Sequence, residues 1–96
     1  MEKVAVIHTA FEDKPSTVAF VDVDESLSLI DKLEYAYRWT NNVMGSWSRT
    51  DLEDNGDYNP AVTRVAPLHK DGMGLRSTSM GDQMLVGNKK YVVAMM

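Results

Sequence analysis

One stretch of this chain carries the spacing of an amphipathic helix, and it lies between segments patterned as strands. From Ser28 to Met44, the residues Leu29, Ile30, Leu33, Ala36, Tyr37, Thr40 and Met44 fall on one face of a 3.6-residue helix. A lone helix has one apolar stripe to bury, so the strands around it must supply the surface that covers it. Asp24 can cap its N-terminus, or Ser28 can do so with Asp31 three residues on. Glu34 and Arg38 are placed for an i,i+4 pair on the solvent side. Asn41, Asn42 and Gly45 end the helix.

The flanking segments alternate or run apolar over short lengths. KVAVIHTA (3–10) and STVAFVDV (16–23), separated by a turn with Pro15, predict an antiparallel hairpin with a loop of about five residues. GSWSRTDLEDNGDYNP (45–60) has no periodicity and reads as one long loop. AVTRVAPL (61–68) is patterned as a strand, HKDGMG as a turn and LRSTS (75–79) as extended chain. Gly81 and Asp82 then suit a turn. QMLV, the pair Gly87-Asn88 and KKYVVAMM predict a second hairpin. The order β-β-α-loop-β-β-β predicts a single α+β domain over 1–96, with a mainly antiparallel sheet packed on one long helix. A strongly bent sheet or a partly open small barrel is the expected geometry. One helix cannot cover both faces of such a sheet, which points to a homodimer or a partner.

Composition narrows the chemistry. Ninety-six residues with 44% apolar and 25% charged side chains make an ordinary globular domain. The N-terminal run is strand-like rather than a signal peptide, and no apolar run has the length of a membrane helix, so a cytoplasmic protein is expected. No cysteine is present, which excludes a disulfide framework, a thiol nucleophile and thiolate metal sites. The net charge of −4 is uneven. Residues 1–60 hold twelve acidic and five basic side chains, whereas 61–96 hold Arg64, Lys70, Arg76, Lys89 and Lys90 against Asp71 and Asp82. An acidic half opposes a purely electrostatic nucleic-acid binder.

Several segments invite a site. DLEDNGDYNP places Asp51, Glu53, Asn55 and Gly56 at calcium-loop positions 1, 3, 5 and 6, but position 12 is Val62 instead of a bidentate glutamate. An acidic surface loop is therefore expected, and no metal or cofactor. His8 and His69 lack helix-spaced partners, and no hydrolase elbow occurs. Tyr35 and Trp39, with Lys32, project away from the helix stripe. They form either a partner-binding face or a patch covered within the chain, through Trp47 for example. In GLRSTSMGDQ the glycines stand outside the Ser/Thr run and no helix follows, unlike a phosphate loop. A strand there would put Ser77 and Ser79 on one face and Arg76 and Thr78 on the other. Arg76 is the candidate anchor for a partner, unless an acidic residue of the helix or long loop holds it internally.

LRSTSMGDQMLVGNKKYVVAMM, with AYRWTNNVMGSW upstream, resembles small proteins encoded by bacteriophages and plasmids. These share an RSTS-x-GD segment and a helix ending in a TNN turn before a tryptophan. More distantly, the tail is similar to the YodL-type module of mobile elements, with its S-x-S-x-x-D approach to a last hairpin. The resemblance spans roughly residues 33–96. Family members continue past the last strand into a glycine–aromatic pair, whereas this sequence stops at Met96, through a trimmed end or a missing feature. It implies a phage or mobile-element provenance and no particular chemistry. The expected function is a small non-enzymatic binding protein acting on a host protein, with Lys32, Tyr35, Trp39, Trp47, Arg76, Ser77, Thr78 and Ser79 as candidate contacts. The alternatives are a nucleic-acid or nucleotide binder using the basic C-terminal half, and a small enzyme.

Overall fold

A computed structural model of the chain describes residues 1–69 and 72–94. The strands are β1 (Glu2–His8), β2 (Ser16–Val23), β3 (Val62–Arg64), β4 (Gln83–Val86) and β5 (Lys89–Val92), and the helix is α1 (Leu29–Trp39). All five strands join one antiparallel sheet in the order β3-β2-β1-β4-β5. The sheet is not closed, with β3 and β5 standing at opposite edges.

The first hairpin forms as the pattern demands, but its loop runs from Thr9 to Pro15. β1 stops at His8 because the next two amides, of Thr9 and Ala10, donate to the Asp82 carboxylate instead of to the ladder. A bulge lies opposite Val6 and Ile7, and it lets the consecutive Val18 and Ala19 both enter the core. The second hairpin turns through Gly87, at φ +61°, as its Gly-Asn pair predicts. The expected strand continued to Met96, but Met95 and Met96 lie outside the described residues, as do Lys70 and Asp71 of the HKDGMG turn.

Ser28 is the N-cap of α1: its hydroxyl accepts from the Asp31 amide at 3.1 Å, while Asp24 binds Ser26. The helix ends at Trp39, earlier than its apolar stripe. Thr40 closes it, with the amide donating to Tyr37 and the hydroxyl to the Ala36 carbonyl at 2.7 Å. Met44, the last residue of the expected stripe, is therefore exposed. Glu34 and Arg38 do not pair; Arg38 instead reaches Asp57 at 3.3 Å.

The core holds Val4, Val6, Val18, Ala19, Val21, Val23 and Met84 from the sheet, Ala36 from the helix, and Trp47 and Leu75 from the connections. Two strand expectations shrink or fail. Residues 61–68 pair only over Val62–Arg64, after which the Val65 and Ala66 amides both turn to the Val18 carbonyl. Residues 75–79 form no strand: Leu75 and Thr78, three apart, point inward, which breaks the two-residue alternation expected for Ser77/Ser79 and Arg76/Thr78.

Candidate functional site

The irregular segment 74–82 crosses the end of the sheet and gathers the polar groups of the chain. Gly81, at φ +93°, allows a tight turn in which the Asp82 amide donates to the Ser79 carbonyl. That turn carries the Asp82 carboxylate, which is fully buried, into a ring of donors. The amides of Thr9, Ala10 and Ser79 reach it at 2.8, 2.9 and 2.8 Å. Arg76 grips it with two guanidinium nitrogens at 2.7 and 2.8 Å. Burial alone would raise its pKa, but Arg76 and the three amides outweigh that effect and hold it well below the usual carboxylate range.

Arg76 has five N–H donors, and each has a partner. Nε and one terminal nitrogen bind Glu12 at 3.1 and 2.8 Å, two donate to Asp82, and one to the Ser77 carbonyl at 2.9 Å. The guanidinium also lies 4.9 Å from the centre of the Phe11 ring. Asp82 and Glu12 raise the Arg76 pKa further above its ordinary value, and Arg76 lowers that of Glu12. The acids that hold Arg76 come from the first hairpin loop and the β4 turn, neither from the helix nor from the long loop. All five N–H groups of the candidate anchor are thus used within the chain, although the side chain stays 27% exposed.

A second chain of bonds starts beside it. The Thr40 hydroxyl donates to the Ala36 carbonyl, and the Thr78 hydroxyl donates to Thr40 at 2.9 Å. With its proton committed, Thr78 can only accept from His8 Nε2, 3.0 Å away. His8 Nε2 thus carries a proton, while Nδ1 has no hydrogen bond among the described residues. Burial lowers the His8 pKa, and Arg76 lowers it further, against the attraction of Asp82 and Glu12. The Trp47 ring stands edge-on to the imidazole at 6.3 Å.

The same segment is sewn to the helix end and the loop behind it. The Thr78 amide donates to the Thr40 carbonyl at 3.0 Å, and the Asn42 amide to Ser77 Oγ at 2.8 Å. Asn42 Nδ2 donates to the Leu75 carbonyl, and Trp47 Nε1 to the Arg76 carbonyl at 2.9 Å. The two motifs of the phage-type resemblance, TNN…W and RSTS-x-GD, are therefore hydrogen-bonded to each other. Ser77 and Thr78 serve this junction, and Thr78 and Trp47 are buried in it. Ser79 donates its amide to Asp82 and its hydroxyl to the Ser77 carbonyl at 3.4 Å.

The helix-face candidates are partly covered by the chain itself, although the cover is not Trp47. Tyr35 packs on the core, and its hydroxyl accepts from Asn59 at 2.9 Å. Trp39 is half-buried beneath the Arg38 guanidinium, 4.1 Å from the ring centre, and Arg38 is drawn there by Asp57. Lys32 pairs with Glu2 at 2.7 Å.

The long loop has its own internal fastening. Asn55 donates to the carbonyls of Ser46 and Arg49 and accepts from the amides of Ser46 and Asp57. Asp57 is buried and accepts from the amides of Val43 and Met44 at 2.8 and 3.0 Å. Of the residues at calcium-loop positions, Asn55 is thus turned inward and Asp51 is paired with Arg49 at 2.8 Å. Among the described residues no cluster of three or more metal-ligating side chains occurs.

Sequence reading passed over Asp82, Glu12, Thr40, Asn55 and Asp57 as functional elements of this network. Asp82 carried the one local signal, its place after Gly81, and that marked only a turn. A cleft of about 300 Å³ opens beside the network, with His8, Glu12, Ser16, His69 and Arg76 in its wall. Comparison with protein-family models, with curated proteins and with solved structures finds no match to this chain.

Proposed function

We propose that the chain is a small non-catalytic binding protein, of the phage or mobile-element kind its motifs resemble, that acts on a host protein through the outer face of its sheet. The register of the strands carries this reading. One cross-strand row of that face runs Thr63–Phe20–Ala5–Leu85–Lys90, and the next runs Thr17–Ile7–Gln83–Val92. Ile7, Phe20 and Leu85 are absent from the groups packed on the core, and Val92 is 62% exposed. Half-buried Phe20, Leu85 and Ile7 thus cluster around Ala5 on this face, and an apolar cluster on the outside of a sheet suits protein contact.

The charged groups support protein over nucleic acid. Arg76 is saturated, and Arg64 donates to the carbonyls of Ser48 and Ala66. Among the described residues, Lys14, Lys89 and Lys90 are the lysines and arginines left without an ion pair or side-chain hydrogen bond, few to neutralise phosphates. Capture from host lysate with the wild-type chain and with Phe20→Lys/Leu85→Lys tests the reading. A specific protein retained by the first and lost by the second, at unchanged melting temperature, is expected. Retention by both, or recovery of nucleic acid that salt releases, contradicts it.

A further inference from the structure

We propose that the open edge of β5 takes an extended segment of the partner as a sixth strand, and that this segment has carboxylates at one end and apolar side chains at the other. The inference rests on the protein-binding reading above and adds the element by which the partner attaches.

Backbone geometry opens the edge. The Val93 amide donates to the Asp82 carbonyl at 2.7 Å, and the Val93 carbonyl accepts from Gly81 at 2.9 Å. Alternation then turns the backbone groups of Tyr91 and Lys89 toward β4 and those of Lys90 and Val92 away from it. No described strand lies beyond β5. Such an edge is a template for strand addition.

Side chains define what can be added. Lys89 and Tyr91 stand on the helix side of the sheet, Lys90 and Val92 on the outer side. On the helix side, a groove of about 220 Å³ runs beside the edge, walled by Ile30, Leu33, Tyr37, Tyr91 and Val93. Ile30 is 57% exposed there. An incoming strand can place apolar side chains into the groove from one face and beside Val92 from the other.

Lys89 and Lys90 are exposed and form no ion pair with any described residue. β5 of a second copy would bring four lysines together if added parallel, and if added antiparallel would set its apolar end against the lysines and leave them without a counter-charge, both unfavourable. Edge lysines protect against self-pairing for this reason, and they select an acidic strand for the same reason. Because the two lysines are consecutive, one lies on each face, with Tyr91 and Val92 following. The matching segment is therefore patterned along its length, acidic then apolar, rather than alternating.

The test uses the whole protein, with amide NMR as the readout. Its probes are a blocked hexapeptide of two glutamates followed by valine, leucine, valine and threonine, its reverse, and a version with lysine in place of glutamate. One of the glutamate peptides should shift the Lys90 and Val92 amides and slow their exchange by about tenfold or more. The lysine peptide should not. Val92→Pro removes an outward N–H and no internal bond, so it should keep the melting transition and lose the peptide. Lys89→Glu/Lys90→Glu, which leaves every backbone group in place, should reverse the preference toward the lysine peptide.

Unperturbed β5 amides at millimolar glutamate peptide would overturn the proposal, as would equal binding to folded Val92→Pro. A dimer that Val92→Pro dissolves would make a second copy the occupant and overturn it too. Shifts confined to Ile7, Phe20 and Leu85 would refute strand addition while leaving the sheet-face reading intact. Loss of peptide binding in Val92→Pro together with retention of the captured protein by Phe20→Lys/Leu85→Lys would refute the sheet face and leave the edge.

Discussion

Asp82 is a buried carboxylate held by an arginine and three backbone amides, and most of its energetic weight lies in that enclosure. Asn at this position loses the buried charge and turns an NH2 toward a ring of donors, while Arg76 keeps only Glu12 as a counter-charge, so Asp82→Asn should destabilise by roughly 3–5 kcal/mol in urea unfolding. Glu12→Gln, at the partly exposed end of the same arginine, should cost only about 0.2–1 kcal/mol. The folded pKa of Asp82 lies below its unfolded value, so its contribution is complete above about pH 5 and is lost as pH falls through the acid range. The wild-type stability curve should therefore drop more steeply below pH 4 than that of Asp82→Asn. His8 acts over a higher window. Its folded pKa is lowered, so below about pH 6.5 the unfolded chain gains a proton that the folded chain resists. Stability should decline between pH 7 and 5, and His8→Gln, which keeps a donor for Thr78, should flatten that decline.

At the level of elements, local pattern and distant partner divide what could be read in advance. The first hairpin, the helix start and the Gly87-Asn88 hairpin were legible because period and turn chemistry act within a few residues. Ser28→Ala should cost about 1 kcal/mol as a lost N-cap, and Asp24→Ala much less. The helix end was misread because Thr40 lies on the apolar stripe, yet its hydroxyl and carbonyl serve the stop and the junction with Thr78. Segment 74–82 was legible as a turn before a hairpin and illegible as the centre of a network. Its partners lie 64 to 73 residues away at Glu12, Ala10 and Thr9, where no periodicity reaches. Thr78→Val leaves both His8 Nε2–H and the Thr40 oxygen without their partner, and calorimetry should show a loss of about 1–3 kcal/mol.

At the scale of the molecule, the sheet has one face covered by helix, loop and segment 74–82, and an outer face that sets Ile7, Phe20, Leu85 and Val92 among Thr17, Thr63, Gln83 and Lys90. The closed side owes its order to side-chain bonds as much as to regular structure, and these tie the helix end, the long loop and the first hairpin into one unit. The proposed partner meets the molecule at the outer face and the β5 edge, where Val92, Lys89 and Lys90 stand exposed. Native-state hydrogen exchange on the intact chain tests this division most directly, since it ranks each amide by the free energy needed to expose it. The amides of Thr9, Ala10, Thr78 and Ser79, all outside regular strands, should exchange only with global unfolding, together with those of β1. The Lys90 and Val92 amides should exchange as fast as in an unstructured peptide. Fast exchange of Thr78 and Ser79, or protection of Lys90 and Val92 in the monomer, would contradict a rigid polar junction beneath an open edge.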